Sequence, residues 1–157
     1  MPEYRNSIEI ERPIEEVFLL TNNYVAEWSS VVIEEEILHE EEGGVGTRFR
    51  NVTESNGKRM EFEGVVTRHD PPYASEVVLK GDQFDLRVEY DFEDLNGHTR
   101  VTQRSHVTAK GLIKMVFIFL GPIIRKAQCD EGYKELQRLK TFCENAPKEL
   151  TQASMES

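Results

Sequence analysis

The chain is poor in the features that place a sequence quickly. Two cysteines and one tryptophan among 157 residues are too few for a disulfide-stapled scaffold. No run of about 20 apolar residues occurs, so no spanning helix is expected. The nearest stretch, Leu112 to Ile124, is about 13 residues long, contains Lys114 and is broken by Gly121-Pro122. It reads as a buried or pocket-lining helix. The opening Met1-Pro2-Glu3-Tyr4-Arg5 has no basic segment leading into an apolar one, so no secretory signal is expected. Positive charge is also scarce: 19 Lys and Arg face 29 Asp and Glu, giving a net charge of -10 and a pI near 4.9. Such a balance repels polyanions and gains nothing from counterion release, which opposes nucleic acid and anionic membranes as partners.

Chemistry-bearing motifs are missing too. Gly43-Gly44-Val45-Gly46 lacks the Gly-Lys-Ser/Thr ending of a phosphate loop and feeds a strand, so it reads as a flexible turn at a pocket mouth. No Gly-x-Ser-x-Gly, His-x-x-x-His or Cys-x-x-Cys spacing is present, and neither a cofactor nor a metal is expected. Cys129 and Cys143 fall in one predicted helix, roughly 21 Å apart by helical rise, far beyond the about 7 Å a disulfide spans. Free thiols suit a reducing cytoplasm.

What is present is a clear order of elements in a chain of single-domain length, able to bury roughly two-thirds of its unfolded surface. Ile8 and Ile10 alternate with Glu9 and Glu11 as in a half-buried strand. Pro13, Glu15 and Glu16 then open a short helix to about Thr21, with Ile14, Val17 and Phe18 as its apolar face. A second helical turn is expected over Tyr24 to Trp28. Strands follow at Val31 to Glu42, Thr47 to Thr53, Arg59 to about His69, Tyr73 to Lys80, Phe84 to Phe92 and Thr99 to Val107. Asn56-Gly57, Asp70-Pro71-Pro72, Gly81-Asp82 and Asn96-Gly97 mark their turns. From about Lys110 to Glu144 the period becomes helical, with Cys129, Gly132, Leu136, Leu139 and Cys143 on one stripe. Gly121-Pro122 should kink or break this helix. One domain over residues 1–146 and a polar, disordered tail over 147–157 are expected.

The candidate site is a cavity between sheet and long helix. Met60, Phe62, Val66, Phe84, Leu86, Val88, Tyr90 and Phe92 supply its sheet wall by parity, and Met115, Phe119 and Ile123 approach from the helix. Gln103 and Ser105 fall on the inner face of the last strand, where buried polar groups need partners that a ligand or water supplies. The acidic run Glu34-Glu35-Glu36 and Glu40-Glu41-Glu42, with His39, has no calcium-loop spacing and reads as protection of a sheet edge. His39, His69, His98 and His106 sit near strand ends and turns and read as surface residues. Arg68 shares parity with Phe62 and Val66 unless a bulge reverses it, and a solvated Arg68 is the reading adopted.

The pattern resembles the START-like superfamily, also called SRPBCC, most closely its polyketide cyclase/dehydrase and lipid-transport branch. The likeness is carried by Ile8-Glu9-Ile10, Arg12-Pro13-Ile14-Glu15-Glu16-Val17-Phe18, Trp28, Gly43-Gly44-Val45-Gly46-Thr47-Arg48-Phe49 and Asp70-Pro71-Pro72. Gly97 with Thr99-Arg100-Val101-Thr102, and Leu136-Gln137-Arg138-Leu139-Lys140, extend it from about Tyr4 to Glu144. The resemblance implies an α+β helix-grip fold: a curved antiparallel sheet of about seven strands and two short helices, wrapped around a long C-terminal helix with a hydrophobic cavity. It implies binding of lipid-like or polyketide-like molecules, as carrier or sensor, or a cyclase/dehydratase reaction; for the latter, the polar residues read near the pocket, Tyr90, Gln103, Ser105 and Arg68, are the candidates to polarise a carbonyl. A branch that assists a chaperone makes a protein-interaction module the third reading. The resemblance carries over no catalytic residue, and the oligomeric state stays open.

Overall fold

The computed structural model describes residues 3–55 and 57–151. Strand β1 (Glu3–Ile10) leads into helix α1 (Ile14–Asn23) and the short α2 (Val25–Trp28). Six strands follow: β2 (Val32–His39), β3 (Arg48–Ser55), β4 (Lys58–Asp70), β5 (Ala74–Lys80), β6 (Phe84–Asp94) and β7 (Thr99–Ala109). Helix α3 (Ile113–Asn145) closes the chain of elements. The strands form one antiparallel sheet in the order β1-β7-β6-β5-β4-β3-β2. β1 and β2, neighbours in sequence, therefore occupy opposite edges, and α1 and α2 carry the chain between them. The element order and the α+β class are those read from the sequence.

Register follows the alternation of side chains, because a slip of one residue would turn every apolar group to solvent. Leu86 on β6 pairs with Leu79 on β5 and Val107 on β7, and Val88 pairs with Val77 and Ser105. The β3–β4 hairpin closes at the Ser55↔Lys58 pair, with Gly57 at φ +76°. Asn56 of that turn lies outside the described residues.

The main core joins α1, β1, β6, β7 and the C-terminal half of α3. Ile10, Val17, Leu20, Val101, Leu136 and Leu139 are fully buried there, and each such side chain contributes about 1.5–3 kcal/mol. Arg12 locks this end. Its guanidinium donates to the Cys143 carbonyl and, at 2.7 Å, to the Ala146 carbonyl, satisfying carbonyls that end α3 without helical partners. A smaller cluster of Phe49, Phe62 and Leu79 lies toward the β2 edge, with Met60 packed on it. Gly64 makes this cluster possible, since a Cβ there would lie 2.3 Å from the Phe49 ring.

Two expectations change. Leu120 leaves helical geometry at φ -110°, ψ 15°, directly before Gly121 and Pro122. Neither the residues ahead of this break nor Ile123 just after it lie on the sheet: Met115, Phe119 and Ile123 are 55%, 76% and 71% exposed. They do not wall the cavity: Met115 and Phe119 precede the break, and Ile123 falls off the Leu136, Leu139 and Cys143 stripe that docks α3 on the core. The stretch 148–151, expected as part of a polar tail, is helical. Helical residues continue to Thr151, whose buried hydroxyl donates to the Lys148 carbonyl, while residues 152–157 of the expected tail lie outside the described residues.

Candidate ligand-binding cavity

Between the two clusters the sheet stays uncovered, and a cavity of about 1180 Å³ opens under α2, the loop after β2 and the middle of α3. That is somewhat above the roughly 300–1,000 Å³ of common small-molecule sites. Its middle is apolar: Phe49, Val66, Val77, Leu79, Leu86 and Val88 line it. They belong to successive strands and meet by register, Val66 with Val77 and Val77 with Val88. A shallower depression of about 410 Å³ runs beside Pro122 and Ile123 on the outside of α3.

A polar row crosses the sheet at one end of the apolar wall. Asn6 pairs with Gln103, Gln103 with Tyr90, Tyr90 with Ser75 and Ser75 with His69, and all five side chains line the cavity. Gln103 Nε2 donates to the Tyr90 hydroxyl at 2.8 Å. Burial pushes the Tyr90 phenol far above its usual range, and the nearby carboxylates of Glu135 and Glu35 push it further, so it stays a protonated donor. Gly132 on α3 gives this row room, since a Cβ there would lie 2.6 Å from Asn6 Nδ2.

At the β2 side lies a second polar group. Asn51, paired in register with Glu35, donates from Nδ2 to the Glu35 carboxylate at 3.0 Å. Glu35 is open to the cavity by surface area, yet the concave wall surrounds it. That desolvation raises its pKa above the usual carboxylate value, and the Asn51 bond only partly offsets the rise. Asn51 Oδ1, Thr53 Oγ1 and Ser75 Oγ are buried without a hydrogen-bond partner, on three residues that all line the cavity. Glu135 is the better satisfied carboxylate, accepting from Ser29 Oγ at 2.5 Å and the Ser30 amide at 2.9 Å.

Of the residues placed here from sequence, Val66, Leu86, Val88, Tyr90, Gln103 and Ser105 stand on the cavity wall. Phe62 is buried beneath it in the Phe49 cluster with Met60. Phe84 does not line the cavity. Phe92 packs edge-on against Phe18 at 5.1 Å and belongs to the main core. The helix residues facing the cavity are Gln128, Glu131, Gly132 and Glu135, roughly two to four turns past the break, in place of Met115, Phe119 and Ile123.

Two residues, Glu35 and His69, carry roles the sequence reading missed. Glu35 turns inward from the acidic edge strand because it pairs with Asn51, while Glu34 and Glu36 turn out to Arg50. His69 is no surface residue: it lines the cavity and packs against Phe18, with ring centroids 5.4 Å apart. A register shift between Val66 and Arg68 puts His69 inside and sends Arg68 out to pair with Asp70 at 3.0 Å. The Gly43-Gly44 turn borders the cavity, and Gly44, at φ +91°, leaves the space taken by the His69 ring.

No protein-family model matches the chain, and no curated protein matches it in sequence. Solved structures share the fold. The protein TTHA0849 from Thermus thermophilus aligns over 98% of this chain and 99% of its own, with a TM-score of 0.75 and 20% identity. A START superfamily protein from Mycobacterium smegmatis aligns over 92% and 99%, with a TM-score of 0.77 and 18% identity. The di-domain ARO/CYC StfQ from the steffimycin biosynthetic pathway aligns over 89% of this chain and 44% of its own, with a TM-score of 0.66 and 10% identity. The fold is thus the START-like helix-grip fold. No helix among the described residues is long and apolar enough to cross a membrane.

Proposed function

We propose that this chain binds a small, largely apolar ligand in the cavity, as a cytoplasmic carrier or sensor. One observation carries the reading: a cavity of about 1180 Å³ with an apolar middle also exposes residues whose buried polar atoms have no partner. A packed core would have filled the space, and buried polar groups are normally paired. A ligand gains about 2.5 kcal/mol for each 100 Å² of apolar surface it buries, and its polar groups answer the orphaned atoms. The fold shared with a START superfamily protein is consistent with such a role.

Native mass spectrometry of freshly purified protein tests this, together with titration by the neutral apolar fluorophore N-phenyl-1-naphthylamine. A discrete extra mass that leaves on denaturation, or saturable fluorophore binding abolished by Leu86→Asp in a folded variant, is the expected result. A bare mass together with no saturable binding overturns the reading.

A second reading, a cyclase/dehydratase-type enzyme, is favoured by one specific pairing. The Tyr90 phenol is held protonated, and the Glu35 carboxyl has a raised pKa and lies near enough to act on Tyr90 electrostatically. An acid and a base in one cavity suit proton transfer at a carbonyl. Arg68 points outward and takes no part. Turnover of a polyketone mimic, falling with Tyr90→Phe and with Glu35→Gln, is the outcome this reading requires. An interaction module without a ligand would need a filled core, and the open cavity counts against it.

A further inference from the structure

The cavity is one-signed. Glu40, Glu41 and Glu42 line it from the loop after β2, Glu76 from the sheet, Glu131 and Glu135 from α3, and Glu35 inside, while no lysine or arginine lines it among the described residues. Basic side chains reach lining residues only from outside the lining, Lys134 at Glu131 and Arg138 at the Trp28 carbonyl. Glu76 and Glu135 are engaged by hydroxyl donors, from Thr67 and Ser29, and Glu131 has Lys134 at 3.5 Å. Glu35 differs. Its one hydrogen bond comes from the neutral Asn51 amide, and it has no cation partner among the described residues. The amide that holds it belongs to a residue only 3% exposed, with its own Oδ1 unpartnered, and Thr53 beside it leaves Oγ1 unpartnered as well.

Resting on the reading that the cavity takes an apolar ligand, we propose that this ligand is a cationic amphiphile, an apolar body bearing a protonated amine, with Glu35 as its counter-ion. A neutral apolar ligand would strip water from Glu35 and leave a buried charge unpaired, the costly outcome for an ion inside a protein. A carboxylate or phosphate ligand adds repulsion from every glutamate around it and meets no lysine or arginine on the wall among the described residues. An ammonium reverses both effects: it pairs Glu35, and its remaining protons have acceptors in the Asn51 and Thr53 oxygens. The glutamates on both sides of the cavity concentrate a cation there before it binds.

The test displaces bound N-phenyl-1-naphthylamine from the full chain with three chain-matched amphiphiles below their micellar concentrations: dodecylamine, 1-dodecanol and dodecanoate. The amine should displace at a concentration about tenfold or more below the alcohol, with the acid weakest. Glu35→Gln, whose side chain still accepts the Asn51 bond, should remove most of the amine's advantage and leave the alcohol unchanged or tighter. Dodecanoate binding as well as the amine, or an amine-to-alcohol ratio unchanged by Glu35→Gln, overturns the proposal. The wild-type ranking alone decides the matter should the variant fold poorly. If neither the fluorophore nor any of the three binds, the ligand-binding reading itself falls, a result distinct from a wrong head-group order.

Discussion

Replacing Gly132 with leucine should close the cavity while leaving the fold in place. Gly132 sits in α3 beside Asn6 and Gln103, so a side chain there enters the polar end of the cavity. Removing a helix-interior glycine contributes about 0.8–1.0 kcal/mol. Against this, the flexible Asn6 amide, 2.6 Å from the new Cβ, must turn aside, and an off-rotamer side chain costs about 0.5–1.5 kcal/mol. The two effects nearly cancel, so the melting temperature should move by no more than about 4 °C. Binding has no such compensation. Four added carbons take the place of ligand carbons worth about 0.8 kcal/mol each, about 3 kcal/mol in all, or roughly a hundredfold in affinity. Fluorophore titration and a thermal melt on the same preparation measure both quantities. An affinity within about threefold of wild type in a folded Gly132→Leu protein would show that the ligand does not use this end of the cavity.

Other perturbations address the frame of the site. Arg12→Ala removes two charge-assisted bonds to the end of α3, about 1.5–3 kcal/mol each, and should cost about 3–5 kcal/mol by urea denaturation, with Arg12→Met controlling for its packed stem; a loss under about 1 kcal/mol would refute the locking role. Burial raises the Glu35 pKa in the folded state above its unfolded value, so the folded protein binds this proton more readily and loses stability as pH rises from about 4.5 through the folded value. Glu35→Gln should therefore melt higher than wild type at neutral pH, with the gap closing below about pH 4; a gap constant across that window would contradict the desolvated placement. Cys143 is fully buried, and desolvation pushes its thiol up to about 12, whereas Cys129 is only half-buried. A disulfide reagent at pH 8 should titrate one thiol in the native chain and two after denaturation.

Much of this was legible in the amino-acid order. Strict alternation from Phe84 to Phe92 marked one face of β6, and that face carries Leu86, Val88 and Tyr90 onto the cavity wall. Glycines and prolines at the turns, and the stripe through Leu136, Leu139 and Cys143, set the strand count and the docking face of α3. Periodicity reports which residues share a face because backbone geometry is local. It does not report what lies opposite that face. A run of glutamates on an edge strand reads as solvated until the pairing with Asn51 selects Glu35 alone to turn inward. His69 and Arg68 exchanged sides through one register shift, and the apolar residues Met115 and Phe119 lie outside because the chain bends at Leu120 before α3 reaches the sheet, with Ile123 just past the bend and off the docking stripe. The sequence by itself determined the elements, their order and their buried faces, since these follow from local sterics and hydrophobic period. Whether the enclosed space is filled, and the sign of the charge around it, were decided only when strands distant in sequence met, since a cavity is a property of the gap between faces.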